Sequence, residues 1–166
     1  FHHMMDERTQ EEPRAWDLKG ATHRAGFKIE ELVEFVRAAS PSEEDFGQAL
    51  SQLHQALDKA ADKVAKKTPA QQDLIGQVDA LIDTLYFTYG SFVLMGVDPE
   101  RIFDIVHQAN MGKIFPDGKA HFDPVTHKIL KPDDWEEKYA PEPAIKKELQ
   151  RQLKAYERHK ERNNTQ

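Results

Sequence analysis

The chain carries two pairs of carboxylates, Glu31 with Glu34 and Asp79 with Asp83. Within each pair, the two residues lie about one helical turn apart. Their neighbours are largely apolar, in the segments FKIEELVEFV and GQVDALIDTLYF. Removing a charged group from water costs free energy, so acids at core-facing positions need a counter-charge. Four acids converging from two helices indicate that metal ions supply this charge.

A helical wheel shows how these acids relate to the apolar faces. At 100° per residue, Glu31 and Glu34 lie about 60° apart on the face that carries Phe27. Asp79 and Asp83 lie about 40° apart on the same basis. The remaining faces of the second segment are apolar almost all round, which predicts a buried central helix.

Carboxylate oxygens without His or Cys suit Mg²⁺ or Mn²⁺ rather than zinc or copper. Two alternatives stay open from the residues alone. In the first, Glu30, Glu31 and Glu34 form a solvated helix face with ion pairs to Lys28 and Arg37. The second is a di-iron bundle, which needs Glu-x-x-His on two helices. The absence of that motif from the chain disfavours it.

Composition narrows the class of protein. A chain of 166 residues fits one domain, predicted here over 1–166. Its net charge of −6 makes it a poor non-specific binder of nucleic acid. The absence of cysteine excludes disulfides and thiolate chemistry, and together with the lack of a visible signal peptide favours a cytoplasmic protein. Ala80–Val97 fits a central helix better than a membrane span, so no membrane partner is expected.

Helix signals predict an all-α bundle of four to six helices with one irregular segment, about 114–139, that holds a short hairpin. Capping boxes at Ser40–Glu43 and Thr68–Gln71, with Pro at the first helical position, and an Asp98 cap mark three helix starts. Gly96 marks a helix end. The predicted helices cover the first few residues and then about 23–39, 41–67, 69–95, 99–113 and 143–162.

The segment KIEELVE at 28–34 resembles the E-E-x-x-E signature of the MazG-like, all-α nucleoside triphosphate pyrophosphohydrolases. That superfamily includes phosphoribosyl-ATP pyrophosphohydrolases and dimeric dUTPases. Asp79 and Asp83, followed by TLY, resemble the second half of the signature, although Ala80 stands where the usual E-x-x-D motif has Glu. The likeness spans about 20–135 and continues through Gly90, the segments GVDP, HQANMGK and KILKP, and Asp123.

The resemblance implies hydrolysis of an NTP or dNTP to the monophosphate and pyrophosphate, as in clearance of unwanted nucleotides. It implies that Glu31, Glu34, Asp79 and Asp83 hold Mg²⁺, with Mn²⁺ as a substitute. Glu30 is a candidate additional or second-sphere ligand, and either Glu30 or Glu31 accepts the proton of the attacking water. The number of metal ions stays open because of Ala80.

The predicted substrate-binding residues are Asn110, Lys113, Lys128, Lys131 and Tyr86. Their structural alternatives are a polar helix end for Asn110, a favourable charge at a helix C-terminus for Lys113, solvated loop lysines for the other two lysines, and a core tyrosine. The C-terminal helix has an apolar stripe that docks on the bundle or on a second subunit, and relatives of this kind imply a homodimer or homotetramer. The stripe consists of Ile145, Leu149, Leu153 and Tyr156.

The alternative function is a non-catalytic helical module that binds a nucleotide or cation.

Overall fold

Helices account for the regular structure of the computed structural model, which describes residues 1–5, 9–67, 73–125 and 128–163. Within those ranges there is no strand, only an isolated antiparallel bridge between Phe122 and Ile129. The predicted all-α class is therefore confirmed. The helices are α1 (His2–Met5), α2 (Leu18–Ala39), α3 (Glu43–Ala65), α4 (Leu74–Met95), α5 (Glu100–Met111), α6 (Trp135–Tyr139) and α7 (Glu142–Asn163).

The chain divides into two compact units. The first is Glu12–Leu81, with α2, α3 and the beginning of α4. The second combines Phe1–Glu11 with Ile82–Gln166 and holds α1, the remainder of α4, and α5 to α7. A single domain over 1–166 stays a prediction.

In the first unit, α2 packs against α3 across a short link. Asp17 begins α2 five residues earlier than predicted, because its Oδ1 accepts the Gly20 N–H at 2.7 Å. The predicted cap of α3 is displaced as well: Ser42 caps the helix by accepting the Asp45 N–H at 3.1 Å. Ser40 instead ends α2 in an extended conformation, as expected for a residue that precedes proline.

The start of α4 is fixed by side chains of the first unit. Asp73 Oδ1 accepts the Gly76 N–H at 3.0 Å. Gln77 Oε1 accepts the Trp16 N–H at 2.9 Å, and its Nε2 donates to the Trp16 carbonyl at 3.1 Å. The predicted capping box at Thr68–Gln71 lies outside the described residues.

In the second unit, α4 ends as predicted at Gly96, which has a left-handed φ of 68°. Asp98 Oδ1 accepts the Glu100 N–H at 3.1 Å as α5 begins. Helix α7 matches its predicted bounds to within one residue and packs against α5.

The segment between α5 and α7 holds the predicted hairpin and a short helix that was not predicted. Leu130 donates its N–H to the His121 carbonyl at 2.8 Å, and Asp123 donates to the Lys128 carbonyl at 2.9 Å. Helix α6 follows at Trp135–Tyr139. Five residues are too few for a periodic apolar pattern, so sequence periodicity could not have revealed this helix.

The prediction that α4 is a buried central helix is wrong for the single chain. None of its residues is buried, and Leu94 is 90% exposed. A helical wheel identifies which faces are apolar but not what covers them. Over the described residues, no helix is long and apolar enough to cross a membrane.

Candidate functional site

Helix α2 presents the first carboxylate pair. Glu31 and Glu34 are both exposed, as is Glu30 beside them. Phe35, an apolar neighbour of these acids in the sequence, is 54% exposed. The inference that these acids lie inside an apolar core is therefore wrong for the single chain, because their apolar neighbours face solvent with them.

The cations expected to neutralise this pair are engaged elsewhere. Lys28 Nζ donates to the Arg24 carbonyl at 3.2 Å, and Arg37 pairs with Glu43 at the start of α3. Within the described part of the chain, Glu31 and Glu34 form neither a hydrogen bond nor an ion pair through their side chains. The exposure of Glu31 and Glu34 agrees with the alternative of a solvated helix face. The ion pairs that this alternative includes are not formed at these two acids.

Helix α4 presents the second pair. Asp79 and Asp83 are one turn apart and exposed, and neither carboxylate has an ion pair among the described residues. Tyr86 lies three residues beyond Asp83 and is 77% exposed. Its ring meets that of Phe87 edge to face, with centroids 6.5 Å apart. The alternative that places Tyr86 in a core is wrong for the single chain.

The four carboxylates fit Mg²⁺ or Mn²⁺ by donor chemistry, since all are hard oxygen ligands. No group of three or more His, Cys, Asp or Glu side chains within 1–5, 9–67, 73–125 and 128–163 is arranged to hold a metal ion. A site built from all four carboxylates therefore stays a prediction.

The end of α5 brings two predicted substrate-binding residues together. Lys113 Nζ donates to Asn110 Oδ1 at 2.8 Å, and Asn110 Nδ2 donates to the Val106 carbonyl at 3.1 Å. Both side chains are half-buried. An open cleft of ≈ 300 Å³ adjoins Asn110, with a mostly apolar lining that also includes two histidines. The cleft is lined by Phe1, His2, Phe103, Val106, His107 and Asn110.

The two predicted lysines of the irregular segment differ in environment. Lys131 Nζ lies 2.8 Å from Glu136 Oε1 and 3.8 Å from the centroid of the Trp135 ring. Lys128 is exposed in the hairpin, where its carbonyl accepts the Asp123 N–H. Lys131 thus contacts two partners while its side chain remains 46% exposed.

Sequence reasoning missed Trp135, which is only 5% exposed. Its indole Nε1–H donates to the Ala109 carbonyl at 2.9 Å, directly before Asn110. A Cβ on Gly112 would lie 2.4 Å from Tyr139 Cγ, so α6 lies tightly against this turn. The available signal was a tryptophan after two aspartates in an otherwise irregular segment, since buried Trp usually finds an acceptor for its N–H.

The clearest electrostatic perturbation lies on α7. Hydrogen bonds from Arg151 and Gln152 lower the pKa of Glu148 to about 2. Arg151 donates from Nε and Nη2 to the two carboxylate oxygens at 2.8 and 2.7 Å. Both hydrogen-bond partners lie on α7 itself, and neither is a predicted site residue.

Comparison with known proteins covers most of the chain. Residues 1–110 match the family model described as phosphoribosyl-ATP pyrophosphohydrolase. The fold resembles the crystal structure of a candidate NTP pyrophosphohydrolase from Exiguobacterium sp. 255-15, with 39% identity and a TM-score of 0.85. That likeness covers 93% of this chain and 92% of the other. A search of the curated proteins gave no match. The family match includes both carboxylate pairs and Asn110, and ends before the three lysines.

Proposed function

Because this chain belongs to the phosphoribosyl-ATP pyrophosphohydrolase family, we propose that it hydrolyses an NTP or dNTP to the nucleoside monophosphate and pyrophosphate. Similarity in sequence and fold to a candidate NTP pyrophosphohydrolase supports this class of reaction. Clearance of non-canonical or surplus nucleotides in the cytoplasm is the proposed role.

The observation that carries the proposal is the state of the two carboxylate pairs. Glu31, Glu34, Asp79 and Asp83 are exposed, and the described chain supplies no cation to any of them. These residues would hold Mg²⁺, or Mn²⁺ in its place. When bound, the metal neutralises triphosphate charge and polarises the reacting phosphoryl group.

The chain's own residues have distinct parts in this reaction. Water attacks the α-phosphorus in line and gives its proton to Glu30 or Glu31, while the bond to the bridging oxygen breaks and pyrophosphate leaves. Asn110 reads a base or sugar edge, and Tyr86 offers an exposed ring to the nucleoside. Lys113, Lys128 and Lys131 provide local positive charge for the phosphates of a substrate that the net charge of −6 would repel.

The proposed assembly is a homodimer or a homotetramer. Helix α4 is apolar and has no buried residue in the single chain, with Leu94 almost fully exposed. Apolar surface of this extent typically marks an interface. Leu94→Glu should lower the oligomeric state measured by sedimentation equilibrium. The same change at Val125, also exposed but outside α4, should leave it unaltered.

Pyrophosphate release measured across a panel of NTPs and dNTPs, with Mg²⁺ and with chelator, tests the activity. We expect metal-dependent turnover that Glu31→Gln abolishes. Glu44→Gln, the same change at an exposed acid of α3, should retain activity. Absence of turnover with every nucleotide, from folded and metal-loaded protein, would contradict the proposal.

The alternative is a non-catalytic helical module that binds a nucleotide or a cation. Ala80, standing where the resembled motif has an acid, favours this alternative. Thermal unfolding with and without nucleotide and Mg²⁺ separates the two, because a ligand that prefers the native state raises Tm. A raised Tm without turnover supports the module.

A further inference from the structure

Trp135 lies between two groups of proposed phosphate-binding residues. Its indole N–H binds the Ala109 carbonyl in the last turn of α5 at 2.9 Å. Lys131 Nζ lies 3.8 Å from its ring centroid. One buried side chain therefore contacts both the turn that carries Asn110 and Lys113 and the lysine of the irregular segment.

The hydrogen bond to Ala109 fixes the end of α5. The last four carbonyls of a helix lack partners within the helix, and Ala109 is one of these residues. The Gly112 N–H reaches the Gln108 and Asn110 carbonyls, and the indole supplies a donor to Ala109. Ala109 is itself 5% exposed, so this acceptor would be costly to leave unsatisfied.

The contact with Lys131 is electrostatic and directional. An ammonium group over the face of an indole ring is attracted by the ring quadrupole. The backbone N–H of Trp135 donates to the Pro132 carbonyl at 2.9 Å. This hydrogen bond folds the chain between Lys131 and the Trp135 ring into a turn. Glu136 holds the same ammonium group from the side at 2.8 Å.

We propose that Trp135 is a positioning residue that sets Lys131 and the Asn110–Lys113 turn together for a triphosphate. The inference rests on the proposed function and adds a residue that contacts no substrate itself. Helix α6 thereby acquires a role: it makes α5 and the irregular segment parts of one binding surface for a polyphosphate.

Kinetics of substituted proteins test this role. Trp135→Leu, which removes both contacts, should raise KM for the nucleotide about tenfold with little change in kcat, because both ground and transition states use the same lysine. Trp135→Phe keeps a ring but not the donor, so its KM should lie between those of Trp135→Leu and the wild type. The matched control is Trp16→Phe, which should leave KM unchanged at the only other tryptophan.

A double-mutant cycle tests whether Trp135 acts through Lys131. If it does, Lys131→Met combined with Trp135→Leu raises KM less than the product of the two single effects. Lys131→Arg keeps the cation on the ring and should retain most of the affinity. Effects of Lys131→Met and Trp135→Leu that simply multiply would overturn the proposal.

An indole N–H resonance provides a readout independent of turnover and of Trp135 substitution. Inorganic tripolyphosphate with Mg²⁺ should shift the ¹H–¹⁵N signal of Trp135 and leave that of Trp16 in place. Lys131→Met should remove that shift in a protein that retains Trp135. An unmoved Trp135 signal at saturating tripolyphosphate would refute the inference. A shift in a protein that hydrolyses no nucleotide would support the positioning role while contradicting the proposed function.

Discussion

Gln152 of α7 binds the main chain of Asp98, 54 residues earlier, through both ends of one amide. The Asp98 N–H donates to Gln152 Oε1 at 3.0 Å, and Gln152 Nε2 donates to the Asp98 carbonyl at 2.9 Å. Gln77 holds Trp16 in the same way inside the first unit. In both places a glutamine satisfies the backbone of a residue just before a helix begins.

Replacing Gln152 by Leu should therefore destabilise the protein. The variant keeps a side chain of similar size but loses both hydrogen bonds to Asp98 and the one that Gln152 donates to Glu148. We expect unfolding to be easier by about 1–3 kcal/mol. Urea unfolding followed by circular dichroism measures the change. Gln150→Leu is the matched control on the exposed side of α7. Its free energy of unfolding should be close to that of the wild type. Equal stability of the two variants would show that the amide contributes nothing.

Glu148 predicts how α7 responds to acid. Its folded pKa is about 2, below the ordinary value of 4.5, because Arg151 and Gln152 bind the carboxylate. Its contribution to stability is therefore fully present above about pH 4.5 and is lost as pH falls toward 2. Glu148→Gln should lower the free energy of unfolding most at neutral pH, and less at pH 3. A loss independent of pH over this range would contradict the ionic origin, and exposed Glu137→Gln provides the control.

Gly112 is predicted to tolerate no side chain. An added Cβ would lie 2.4 Å from Tyr139 Cγ, the ring atom nearest the tyrosine backbone. Gly112→Ala should cost about 1–3 kcal/mol through overpacking. Gly26→Ala, inside α2 with nothing near its Cβ, should instead stabilise by up to about 1 kcal/mol. Combining Gly112→Ala with Tyr139→Ala should cost less than the sum of the two if the ring is the obstacle.

Ala80 offers a test of the altered acidic motif. Ala80→Glu restores the spacing of the resembled E-x-x-D motif, and an added carboxylate ligand should tighten divalent-metal binding. We expect the Mg²⁺ concentration for half-maximal pyrophosphate release to fall by about tenfold. Ala80→Gln adds a side chain of the same size without the charge. In this variant the Mg²⁺ concentration for half-maximal release should fall far less. An unchanged metal requirement in Ala80→Glu would place residue 80 outside the metal site.

Local signals predicted much of the secondary structure and the spacing of the acids. The positive φ at Gly96, the end of α2 at Ala39 and the bounds of α7 follow from contacts within a few residues, which is why sequence alone located them. The one-turn spacing of Glu31 with Glu34 is likewise a property of any helix. The α3 cap shifted from Ser40 to Ser42 because both serines offer the same side chain, and the earlier start of α2 and the short helix α6 also departed from the prediction.

What the sequence by itself determined is the all-α class, most helix bounds and the two carboxylate pairs. Tertiary structure decided the rest, because the deciding contacts join residues far apart in the chain. Trp135 meets Ala109 across 26 residues, and Arg37 pairs with Glu43 of the next helix instead of an acid of α2. The exposure of α4 was likewise decided by tertiary structure and not by its own sequence. Hydrophobicity depends on the residues themselves, whereas burial depends on which surface another part of the structure covers.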